Sequence, residues 1–98
     1  MSSDLQALFD RVIDAALSDR EQDEHDAERL DLIAPDLFAA APLKGRARFP
    51  WAVAPLTSSG GETAFAALTE RARLPLPVIV VEGVFAEEAE ARSTAEGA

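Results

Sequence analysis

The apolar residues of this chain change from a helical to an alternating period after its first half, and that change restricts the fold to classes that mix helix with sheet. Leu5, Leu8, Phe9, Val12, Ile13, Ala16 and Leu17 follow the 3, 4, 7, 8 spacing of a single helical stripe. From Arg46 onward the spacing alternates: Ala47, Phe49, Trp51 and Val53 fall on one side, with Arg46, Arg48 and Pro50 on the other. Such alternation is that of a half-buried strand. Pro50 lacks an N–H, which argues for a position at the edge of a sheet, and Pro55 is expected to close the strand.

Ser3 with Gln6 forms a capping-box pattern ahead of the first stripe. The stripe stops at Ser18, and residues 19–26 carry no apolar side chain. Ser18 with Glu21 repeats the capping spacing, so a second helix is expected to run to about Ile33, with one long helix over 3–33 as the alternative. Pro35 suits the first position of a further short helix, Pro35 to Ala41. After the loop Thr57 to Gly61, Ser59 with Glu62 predicts a helix to about Arg73, on the stripe Ala64, Phe65, Leu68 and Ala72. Leu76 to Glu82 reads as a strand, and its apolar centre Val78 to Val81 is typical of central strands. Strand, helix and strand with short joints suggest a βαβ crossover.

The expected fold is therefore α/β or α+β: an N-terminal helical pair followed by a βαβ unit. Residues 1–85 form one small globular domain, and residues 86–98 an acidic Ala/Glu-rich tail, either a frayed helix or disordered. Two strands alone do not make a stable sheet, and the bulky core formers are few, with five Phe and one Trp in 98 residues. Completion of the sheet by oligomerisation or by a partner follows from that shortage.

Charge narrows the partners. The net charge is −9. Residues 1–36 carry eleven acids and three bases, whereas residues 37–61 carry only Lys44, Arg46 and Arg48. Such a surface repels a phosphate backbone, so nucleic acid is not an expected partner. A basic protein surface, or the basic cluster of a second copy, is attracted. The absence of cysteine excludes disulfides and thiolate metal sites, and fits a reducing compartment. The N-terminus lacks the pattern of a signal peptide and the apolar runs are short, so the chain is expected in the cytoplasm, away from membranes.

Chemistry-bearing patterns are weak. Glu21, His25 and Glu28 would share one face of a helix and could bind a divalent ion. The density of acids makes that spacing easy to obtain by chance, and a solvated acidic face is the simpler reading. Ser59, Gly60 and Gly61 precede a predicted helix and could hold an anion on free N–H groups. Glu62 stands where a phosphate loop needs Lys, so a plain turn and cap explains them better. Neither Ser58 nor Ser59 lies in a nucleophile-elbow pattern. Glu82, at the end of an apolar run, is the single acid whose surroundings could raise its pKa.

No cofactor is expected. The reading is a small acidic non-catalytic protein–protein interaction module, homo-oligomeric or a subunit of a larger assembly. Its expected contacts are the first helix, the edge Phe49, Trp51 and Val53, and the cluster Lys44, Arg46 and Arg48. Two other readings fit the same residues. One is an acidic inhibitor, of the immunity or antitoxin kind, using Asp23, Glu24 and Asp26 against a basic site. The other is a metal-dependent enzyme built on Glu21, His25 and Glu28.

Overall fold

A computed structural model describes residues 2–18, 20–21, 23–44, 50–71 and 78–97. The order is helix α1 (Ser2–Leu17), helix α2 (Glu24–Ala40), strands β1 (Trp51–Thr57), β2 (Thr63–Arg71) and β3 (Val78–Phe85), then helix α3 (Glu88–Gly97). The class is α+β. The three strands form one antiparallel sheet in the order β1-β2-β3.

The helical pair is present, as two helices rather than one, but the second starts and ends later than its capping pattern implied. Asp23 is its N-cap, and its side chain accepts the His25 N–H at 2.8 Å. The helix then continues through Pro35 to Ala40 instead of restarting there. Leu30, Ala34, Leu37 and Phe38 are buried at i, i+4, i+7 and i+8, one unbroken stripe across the proline. Packing of that stripe offsets the donor that Pro35 cannot supply to the Asp31 carbonyl.

Among the described residues no βαβ crossover forms. Residues 63–71, predicted as helix, form β2, the central strand, and β1, β2 and β3 make an antiparallel meander. The capping pattern Ser59 to Glu62 serves a hairpin turn instead. The Gly61 N–H bonds the Ser58 carbonyl at 3.0 Å, the Ser58 N–H bonds the Glu62 carbonyl at 2.8 Å, and Gly61 takes φ 87°. A left-handed residue there turns the chain back before a helix can start. Pairing on both sides then overrides the helical propensity of Ala, Leu, Glu and Arg in β2. The strand β1 also runs past Pro55, which lies at a sheet edge where no ladder donor is required.

The sheet is covered on both faces. Ala52, Ala54 and Leu56 of β1 and Ala64, Ala66 and Leu68 of β2 face Ile13 of α1 and Leu37, Phe38 and Ala41 of the α2 end. A neighbouring cluster joins α1 to α2 through Leu8, Val12 and Leu30. On the other face Ala67 meets Ala91 and Ala95 of α3, with Trp51, Val53, Phe65 and Phe85 packed around them. Alanine at the contact points lets α3 lie close to the sheet. The stretch expected to be an acidic tail thus includes a docked helix. The face parity of β1 is the reverse of that expected: Ala52, Ala54 and Leu56 enter the main core, while Trp51 and Val53 turn toward α3.

Candidate functional site

Several of the polar groups singled out by the sequence are used inside the chain. The carboxylate of Asp10 on α1 accepts the Ser59 N–H and the Ser59 hydroxyl, each at 2.7 Å, and the Gln6 amide at 3.0 Å. The anion held by the Ser59 turn is therefore the chain's own Asp10, which fastens the β1–β2 hairpin to α1. The Ser59 hydroxyl, the Gln6 amide and the Ser59 N–H, in that order, hold the Asp10 carboxyl below the usual aspartate range. Gln6 also donates to the Thr57 carbonyl at 2.9 Å.

The acids proposed to meet a basic partner divide in the same way. Asp23 caps α2, and Asp26 accepts from Arg11 at 2.9 Å, joining the two helices. Glu24 remains exposed. Of the metal set, Glu21 precedes α2 and so does not share a helical face with His25 and Glu28. His25 Nδ1 and Glu28 Oε2 stand 3.9 Å apart at 89% and 80% exposure, and among the described residues no three metal-ligating side chains come together. The structure gives that set no ligand geometry.

Glu82 has an identifiable role. It is the extra residue of a bulge: Ala67 pairs with Gly83 and Leu68 with Val81, leaving Glu82 unopposed. Its side chain accepts the Thr69 hydroxyl at 2.5 Å and Arg71 at 2.7 Å. Thr69 is 1% exposed. Burial pushes the Glu82 carboxyl up, but the Thr69 hydroxyl, the Arg71 hydrogen bond and the Arg71 charge together outweigh it and leave the pKa lowered. Held by two donors, the carboxylate is a clasp across β2 and β3. Gly83 follows because a Cβ there would stand 2.9 Å from the Phe85 ring.

The edge expected around Trp51 is partly closed. Lys44 and Trp51 exchange backbone bonds, Lys44 N–H to Trp51 at 2.7 Å and Trp51 N–H to Lys44 at 3.2 Å. Trp51 is half-buried against the α3 cluster. Arg46, Arg48 and Phe49 lie outside the described residues, and Lys44 is exposed.

Two surfaces of the described residues bear on association. The first is β3, which pairs only with β2 among the described residues and has every side chain partly exposed. Its outer edge is not bare, since the Val81 N–H is taken by Asp31 Oδ1 at 3.1 Å. A second β3 laid along this edge would bring a second Asp31 to the same seam, and the carboxylates would repel.

The second surface is a groove of about 550 Å³ between α1 and α2. Leu5, Leu8 and Ile33 form its apolar floor, Arg11 and Arg29 flank it, and Leu32 stands at its rim. Leu32 is 81% exposed, the most exposed of the large apolar side chains described. It lies off the buried stripe Leu30, Ala34, Leu37, Phe38, and that displacement was its only signal in the sequence.

Comparison with protein-family models, curated proteins and solved structures finds no match to this chain. No described helix is long and apolar enough to cross a membrane.

Proposed function

We propose that this chain is a small acidic, non-catalytic protein–protein interaction module that associates with a second copy of itself. The observation that carries the reading is Leu32, held 81% exposed at the mouth of an apolar groove. Moving one such side chain out of water contributes about 1.5–3 kcal/mol per copy. A rigid helix holds it there, so little conformational freedom is lost on contact. Asp10, Asp23, Asp26 and Glu82 are engaged in caps and clasps within the chain.

Sedimentation equilibrium over a hundredfold range of concentration tests the proposal. The expected result is a mass that rises with concentration for the native sequence, and a markedly weaker rise for Leu32→Ala. A mass that stays at one chain throughout overturns it.

A further inference from the structure

Resting on the self-association reading, we infer that two copies pair through antiparallel α2 helices about a two-fold axis beside Leu32, with Arg29 of each copy opposite Asp36 of the other. Arg29, Leu32 and Asp36 lie at i, i+3 and i+7 on α2, within about 60° of one another around the helix. Arg29 lies about 4.5 Å before Leu32 along the axis, and Asp36 about 6 Å after it. Both charged residues are exposed, and neither takes part in an ion pair among the described residues.

The symmetry decides what meets what. A two-fold axis perpendicular to α2 reverses the direction of the second helix and keeps each residue on its own side of the seam. A group ahead of Leu32 therefore faces the group that lies a similar distance behind Leu32 on the same side. Arg29 and Asp36 are both displaced to the same side of Leu32, so the operation sets the cation of one copy against the acid of the other, twice. Glu28 falls on the other side of Leu32, where the opposing helix presents Pro35 rather than a second acid. Leu32 comes to the axis and packs across it, beside the groove floored by Leu5, Leu8 and Ile33.

An isologous contact of this kind uses one patch on both copies and closes at two. It is also the arrangement that charge favours locally in a chain of net charge −9, because the acids of α2 that lie nearest the seam are matched or opposed by neutral groups. The β3 edge, with Asp31 on it, lacks that match.

The test is a charge exchange read by sedimentation equilibrium on the full chain. Arg29→Asp and Asp36→Arg each turn two attractive pairs into two repulsive ones, and each is expected to weaken dimerisation about tenfold or more. Both sites are exposed, and circular dichroism on each variant verifies that the fold is retained. The double variant, Arg29→Asp with Asp36→Arg, restores the attraction in reverse and is expected to return dimerisation to within about threefold of the native chain. A double variant as weak as the singles overturns the pairing. If the native chain dimerises and neither single reversal affects it, the pairing falls while self-association stands. If the native chain is a monomer at all concentrations, self-association falls, and the pairing with it.

Discussion

At the scale of single residues, several polar side chains are fasteners. Glu82 shows this best, because its carboxylate is the acceptor for both Thr69 and Arg71 across the β2–β3 pair. Glu82→Gln keeps the shape and removes the charge, and should destabilise the fold by about 1 kcal/mol at neutral pH, measured by urea unfolding. That figure lies below the usual range for bonds to a charged acceptor because Arg71 is partly in water and the Gln amide can still accept. The folded carboxyl has a lowered pKa, so its contribution is fully present above the ordinary glutamate range. It is lost as the pH falls through the lowered folded value. The difference between native chain and variant should therefore shrink in acid, below about pH 4. The sequence made Glu82 conspicuous through its apolar neighbours, yet those neighbours alone suggested a raised pKa. Thr69 and Arg71 reverse the direction, and their position opposite Glu82 depends on a bulge that no local pattern announces.

At the scale of elements, α2 carries the clearest conflict between local rule and global packing. Proline in the interior of a helix costs about 3 kcal/mol, through a missing donor and a clash with the preceding turn. The helix persists because Leu30 and Ala34 before the proline and Leu37 and Phe38 after it are buried on one face. Pro35→Ala should restore the missing bond to the Asp31 carbonyl and stabilise the protein by about 1–3 kcal/mol, seen as a higher midpoint of denaturant unfolding. The reverse conflict occurs in β2, where helix-favouring residues are held extended by two neighbours. In α1 the stripe of apolar residues and the observed helix agree, because a 3.6-residue repeat over four turns admits no other regular conformation with those residues on one side. Alternation around Trp51 also predicted a strand correctly, but the parity was inverted. A strand with apolar groups on both faces does not specify which face meets which layer.

At the scale of the whole molecule, one thin sheet is closed on both faces by helices, which leaves its edges and the seam between α1 and α2 as the places where more surface can be buried. The covering of the second face by α3 depends on Ala91 and Ala95, small residues in a segment whose composition resembles that of a solvated tail. Net charge acts on association as a whole. Two copies at −9 repel at long range, and salt screens that repulsion over about 8–10 Å. Self-association should therefore strengthen as ionic strength rises from about 0.01 M to about 0.15 M, read as a larger association constant in sedimentation equilibrium. Binding of the acidic chain to a basic partner would move in the opposite direction.

The amino-acid order by itself determined the helical N-terminal half, the change to extended chain after the basic cluster, the acidity and the lack of a thiol, because these depend on near neighbours or on composition. The tertiary structure alone decided that the third capping pattern closes a hairpin, that α2 passes through Pro35, that Asp10 fills the turn at Ser59, and that Leu32 is left outside. Each of those outcomes turns on groups far apart in the chain, whose approach is set by which faces find cover when the sheet and helices pack together.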